Sequence, residues 1–282
     1  MISLEENKYG KSRVRLVRVK RRAEEHDFRE WNVEILVRGD FASCFEAGDN
    51  SQILPTDTMK NTVYSLARNS AAAGMEEFAA ELVDFLLSRN PQISEAEVNV
   101  EEKAWEHLRI SGRSHPTTFL EASGERQTTT VSRAQNSGAT VISGLENLAI
   151  MKTADSGFAG FKTDSLTTLP ETADRLFGTA MRARWTYVAS ASDFAVLRKN
   201  IRDTLLEKFA NHQSKSVQHT LYAMAQTVLE AIPEVQDIEL RMPNKHCLLV
   251  DLSRFGLDNP NEIFVPVDEP HGYIEARICR KG

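Results

Sequence analysis

The spacing of apolar residues along this chain changes period several times, and each change marks out an element. From Arg13 to Lys20 and from Trp31 to Val37, apolar and polar residues alternate, which predicts paired β-strands joined by the polar link Arg22 to Glu30. After the turn Gly48-Asp49-Asn50-Ser51 the period lengthens. Thr56-Asp57 supply N-cap chemistry for a helix through Arg68, and Met75, Phe78, Leu82 and Phe85 fall on one face of a second helix, Gly74 to Ser88. Alternation returns at Glu95 to Ala104 and about Thr117 to Ser132, before the polar link Gln135-Asn136-Ser137-Gly138. The order is ββααββ.

That order then repeats. Strands near Thr140 to Met151 and Arg182 to Ala189 precede a helix striped by Phe194, Leu197, Ile201, Leu205 and Phe209. Another helix, about Ser216 to Ala231, carries Val217, Leu221, Met224 and Val228. Strands at Asp237 to Arg241 and His246 to Leu252 complete the unit, with short extended pieces at Ile263 to Val267 and Tyr273 to Cys279. The segment Asn61-Thr62-Val63-Tyr64-Ser65-Leu66-Ala67 also lines up with His219-Thr220-Leu221-Tyr222-Ala223-Met224-Ala225, at an offset of 220 − 62 = 158, and reads as the trace of a duplication. The prediction is an α+β chain of two domains, 1–137 and 138–282, each an antiparallel sheet with helices on one face. Open sheet edges lead us to expect a homo-oligomer.

Composition sets bounds on this picture. A chain of 282 residues with 41% hydrophobic content can fill two cores. Thirty-four basic against forty acidic residues give a net charge of -6, so no global field recruits nucleic acid or an anionic membrane. The basic run Arg13 to Arg22 has no interleaved aromatics and reads as a strand with one solvated face rather than a phosphate track. Cys44, Cys247 and Cys279 are odd in number and far apart, which fits small core residues in a reducing compartment. The N-terminus lacks an apolar signal region, and no run approaches the about 18 apolar residues of a spanning helix, so a soluble, unexported protein is expected.

Candidate chemistry is dispersed. In Pro243-Asn244-Lys245-His246, an extended backbone would put Asn244 and His246 on one face and Lys245 on the other; a turn with an exposed Asn and a half-buried His is the alternative. Phe158, in Phe158-Ala159-Gly160-Phe161, is free to face a ligand or to anchor a core. Arg175 offers a planar fork for a carbonyl or carboxylate, unless a neighbouring acid pairs with it. Gln218 sits beside Val217 at a helix start, where free backbone N–H groups collect. The seven histidines show no HxH or HxxxH pattern, and no dinucleotide fingerprint, P-loop or nucleophile elbow occurs.

Taken in order, several segments resemble the urate oxidase (uricase) family over most of the chain, from Tyr9 to about Ile278. They are Tyr9-Gly10-Lys11, Thr56-Asp57 with Lys60-Asn61-Thr62, Phe158 with Gly160-Phe161, Thr167-Thr168-Leu169 with Glu171-Thr172 and Asp174-Arg175, Val217-Gln218 with Thr220 and Tyr222, and Pro243-Asn244-Lys245-His246. The resemblance implies a tandem tunnelling fold, or T-fold, whose subunits join into a barrel as a homotetramer. It implies oxidation of urate by O₂ and water to 5-hydroxyisourate and hydrogen peroxide, without metal or organic cofactor. Phe158 would stack on the purine, with Arg175 and Gln218 holding its edge and Thr56, Asp57 and the Val217 backbone completing the cradle. Lys11 would act as base through the Thr56 hydroxyl with His246 in the relay, and Asn244 would position O₂, peroxide or water. Lys11, Thr56 and Asp57 would serve a site whose other members belong to a neighbouring chain.

Leu166, where the family pattern has an aromatic, and Pro55, where it has a small residue, depart from the resemblance without removing a site residue. The terminal Arg280-Lys281-Gly282 lacks a peroxisomal address, which points to a cytoplasmic enzyme. A metal-dependent pterin- or purine-processing T-fold enzyme and a non-catalytic purine-binding T-fold protein are the competing readings.

Overall fold

The alternating segments of the first half become strands β1 (Tyr9–Lys20), β2 (Asp27–Gly39), β3 (Ile93–Ile110) and β4 (Arg113–Ala134) in a computed structural model that describes residues 2–281. Gly282, the last residue of the C-terminal tripeptide, and Met1 lie outside the described residues. The four strands pair in chain order and antiparallel, with α2 (Thr56–Asn69) and α3 (Met75–Arg89) between β2 and β3. Val33, Ile35 and Val37 of β2 and Val98 and Val100 of β3 meet Met59 and Val63 of α2 and Phe78, Leu82 and Leu86 of α3 in one buried cluster. Each such side chain contributes about 1.5–3 kcal/mol on leaving water.

The second half runs β5 (Thr140–Lys152), β6 (Phe177–Tyr187), α4 (Phe194–Asn211), α5 (Val217–Ala231), β7 (Val235–Arg241), β8 (Asn244–Leu249), β9 (Phe264–Gly272) and β10 (Glu275–Cys279). Its strand order is β5-β6-β7-β10. The chain divides into two compact units, Met1–Gly144 with Thr186–Arg198, and Leu145–Trp185 with Lys199–Gly282.

Five expectations need correction. The strand that follows β7 in the sheet order is β10, not His246 to Leu252: β8 pairs with β9 and meets β6 only at Gly178↔Lys245. Arg277 holds β10 against β7 by donating to both carboxylate oxygens of Asp237 at 2.9 Å, and Met242 N–H donates to the Ile274 carbonyl at 2.8 Å. Pairing is therefore fixed by partners about forty residues apart, which alternation cannot report. The duplication is one of element order, not of the quoted heptapeptides. Those lie in α2 and α5, the first long helix of one half and the second long helix of the other; the matching second long helices start 217 − 75 = 142 residues apart.

Thr56 does not cap α2: Pro55 is the N-cap residue and makes no side-chain capping bond, while Asp57 turns to Lys60 and Asn61. The basic run does not keep its charges on one wet face, because Arg18 is buried with its guanidinium 4.5 Å from the Trp31 ring centroid and donates to the Ala72 carbonyl. Nor are the cysteines core residues. Cys44 and Cys247 are half-buried and Cys279 is exposed. A short helix α1 (Ala42–Ala47), closed by Gly48, was not legible in the periodicity because it buries no residue.

Candidate active site

In the second unit, Phe158, Arg175, Asn244 and His246 line one cavity of about 520 Å³, together with Glu171 and Phe264. That volume lies within the range of small-molecule sites. The alternation expected for Pro243 to His246 is present: Asn244 and His246 are half-buried, and Lys245 between them is exposed.

Phe158 is held by a two-residue bridge to Thr172, with backbone bonds of 2.8 and 3.0 Å. Its ring stacks on Phe161, centroids 4.9 Å apart and planes 14° apart. The chain can return between the two rings because Gly160 takes a left-handed φ of 69°, a conformation that costs glycine little, and its N–H donates to Glu171 at 2.8 Å. Arg175 brings its guanidinium carbon to 5.2 Å from the Phe158 centroid. Among the described residues the acids beside it are engaged elsewhere. Glu171 accepts from Gly160, and one Asp174 oxygen accepts from the N–H groups of Ser156 at 3.0 Å and of Arg175 itself at 3.1 Å. Among the described residues the buried Arg175 Nε has no hydrogen-bond partner, and burial lowers the guanidinium pKa. A half-buried cation with an unsatisfied donor, set over an aromatic face, is a receptor for a planar acceptor.

Val217 and Gln218 are not among the residues that line this cavity, yet they are tied to it. Gly157 N–H donates to the Ser214 carbonyl and Ser214 N–H to the Asp155 carbonyl, both at 2.8 Å, so the Phe158 strand and the entry to α5 are braced together. Ser216 caps α5 by accepting from His219 N–H, leaving Val217 and Gln218 in the first turn, where amides lack helical partners.

Lys11, Thr56 and Asp57 belong to the first unit. Gly10 lies so close to β2 that a Cβ there would sit 1.8 Å from the Ile35 carbonyl oxygen, and the strand bulges between Lys11 and Val14 with Arg13 at a φ of 58°. The bulge re-aims the side chains on either side of it. Tyr9, two residues before Lys11, accepts from Leu54 N–H at 2.8 Å and donates to its carbonyl at 3.2 Å, which fixes the approach to Thr56. Asp57 bonds Lys60 at 2.5 Å and Asn61 at 3.0 Å. Lys60 first, with Lys11 adding to it, holds the Asp57 carboxyl below its ordinary pKa. Thr56 is half-buried.

Among the described residues no group of three or more His, Cys, Asp or Glu side chains could hold a metal ion, and no helix is long and apolar enough to cross a membrane. A family model described as uricase matches residues 7–132 and 141–275. The chain belongs to the uricase family. It is 38% identical to the uricase of Arthrobacter globiformis over all of this chain and 91% of that one, and 36% identical to that of Dictyostelium discoideum over 99% and 98%. The crystal structure of the Arthrobacter globiformis uricase superposes with a TM-score of 0.94, covering 100% of this chain and 96% of that one. A urate oxidase from Bacillus sp. TB-90, at 22% identity and a TM-score of 0.85, shares the fold. That likeness extends to the tandem T-fold of this uricase-family chain.

In the sequence Glu171, Asp174 and Tyr9 stand out only as parts of motifs. In the structure they do the positioning: Asp174 joins Ser156 to Arg175, Glu171 closes the Gly160 turn, and Tyr9 pins Leu54. Phe264, a further cavity residue, had no local signal because it comes from β9, eighteen positions after His246 (264 − 246 = 18). Of the two departures, Leu166 is 85% exposed and Pro55 becomes the cap of α2.

Proposed function

We propose that this uricase-family protein oxidises urate with O₂ and water to 5-hydroxyisourate and hydrogen peroxide. The observation that carries the reading is Arg175, its Nε unpartnered among the described residues and its guanidinium over Phe158 in a cavity shared with Asn244 and His246. Phe158 stacks the flat ring, while Arg175 and Gln218, with the Val217 backbone, take its acceptors and donors. Thr56 and Asp57 complete the cradle.

Oxygen chemistry ordinarily calls for a cofactor, so the substrate itself must be made electron-rich by losing protons. Lys11 takes that proton through the Thr56 hydroxyl, and His246 joins the relay. Two electrons and two protons pass from urate to O₂, which leaves as hydrogen peroxide, and water supplies the hydroxyl that adds to the oxidised ring. Asn244 holds first O₂ and then peroxide or water beside the ring. In this reading no metal or organic cofactor takes part. Loss of urate absorbance in air with a chelator present, accompanied by peroxide, is the expected result. Urate loss of equal rate without oxygen, or binding without turnover, would remove the proposal.

The repeats are taken as 1–137 and 138–282, and the working form as a cytoplasmic homotetramer whose sites combine Lys11, Thr56 and Asp57 of one chain with Phe158, Arg175, Val217, Gln218, Asn244 and His246 of a neighbour. Arg175→Ala leaves a urate carbonyl unpaired and is expected to weaken binding by about 2–4 kcal/mol, read as KM. Mixing the impaired Thr56→Ala and Arg175→Ala proteins under subunit exchange should restore part of the activity. No recovery after demonstrated exchange would place the whole site in a single chain.

A further inference from the structure

Two imidazoles lie beside the entry to α5 and have no part in the chemistry above. His212 follows the last residue of α4 and His219 stands in the first turn of α5, their ring centroids 4.4 Å apart and their planes at 57°. His212 is half-buried, and its Nδ1 is 3.2 Å from the hydroxyl of the fully buried Thr220. Its carbonyl accepts from Lys152 at 2.6 Å. His219 Nδ1 lies 3.4 Å from Lys215 N–H, a contact in which that nitrogen accepts only while it carries no proton. Between the two residues in sequence come Ser214, whose N–H and carbonyl are bonded to Asp155 and Gly157 beside Phe158, and Ser216, the cap of α5. The stretch from His212 to His219 therefore carries Val217 and Gln218 and steadies Phe158.

We propose that the His212–His219 contact is a positioning brace for the α5 entry, intact when both rings are neutral, so that urate affinity falls in acid. The inference rests on the reading that Val217 and Gln218 hold urate. The groups acting on His212 are its burial first, then His219, Lys208 of α4 and Lys152 at the end of β5, and all of them lower its pKa. Lys215 flanks His219, and the first turn of α5 presents the positive end of the helix dipole. A proton added to His212 meets only positive neighbours among these groups. Because the folded value for His212 lies below the ordinary imidazole value of about 6.5, its contribution is complete above that pH. It is lost as pH falls from there through the lower folded value.

The test compares full-length protein with His219→Gln, an exposed site where a neutral side chain is retained, and with His212→Asn. Wild-type KM for urate is expected to rise by about fivefold between pH 7.5 and 5.0 beyond any rise in the variants, with kcat profiles parallel. Titration of urate is common to all three proteins and cancels in the ratio. Amide exchange of the 212–220 peptide, corrected for the intrinsic pH effect, should accelerate in acid in the wild type and not in His219→Gln. KM ratios that do not change with pH would overturn the brace, as would exchange indifferent to pH. If the wild type fails to bind urate at pH 7.5 while exchange responds to acid as expected, the brace stands and the reading of Val217 and Gln218 fails.

Discussion

Replacing Lys11 by Met is expected to lower kcat by about 10²- to 10⁴-fold, the usual contribution of a positioned base, with KM changed far less. The change removes the amine but keeps the length and most of the apolar stem, so the strand should be undisturbed. Lys11 is half-buried at a bulge in β1, beside Gly10 where the backbone of β2 is close enough to exclude any side chain. Steady-state kcat at several pH values, with circular dichroism as the control on folding, measures the effect. Turnover equal to that of the wild type would take Lys11 out of the proton path and leave deprotonation to Thr56 and His246.

Breaking the buried pair between Glu76 and Arg198 is expected to cost about 3–5 kcal/mol of stability, because the surviving charge is left without a counter-ion in the interior. Glu76 is wholly buried near the start of α3, where a carboxylate is favoured by the helix dipole, and it also accepts from Ser143 at 2.6 Å. Arg198 is 4% exposed and donates through Nε to Gln127 at 2.9 Å. Burial by itself would lower the Arg198 pKa, and the Glu76 carboxylate more than reverses this, so the guanidinium stays charged. Urea unfolding of Glu76→Ala, Arg198→Met and the double variant Glu76→Leu with Arg198→Met provides the check. Each single change should shift the midpoint strongly, and the double should recover much of the loss, since two apolar groups of similar volume leave no stranded charge. Singles and double that unfold together would mean that the pair carries no such energy.

These two predictions fall on opposite sides of what could be read in advance. Lys11, Thr56, Asp57, Phe158, Arg175, Val217, Gln218, Asn244 and His246 were all nameable from motif order, and the structure gathers Phe158, Arg175, Asn244 and His246 around one cavity. The Glu76–Arg198 pair could not be read that way. Its partners are 122 positions apart, and Glu76 looks in sequence like one more acid on the polar side of an amphipathic helix. Asp174 is a similar case: its use as a double acceptor for backbone amides depends on where Ser156 is brought, eighteen positions upstream.

The amino-acid sequence by itself determined the long strands and the two long helices of each half, the helical faces and the Asn244/His246 alternation. Each is a local matter of side-chain period against backbone period, and every residue in the pattern contributes to it. The tertiary structure alone decided that β10 rather than β8 follows β7 in the sheet order, that Arg18 goes inside against Trp31, and that the acids beside Arg175 are engaged elsewhere. Those outcomes turn on which of several chemically equivalent partners lies within hydrogen-bond reach. That is settled by chain segments far away in sequence, whose approach leaves no periodic mark on the residues they meet.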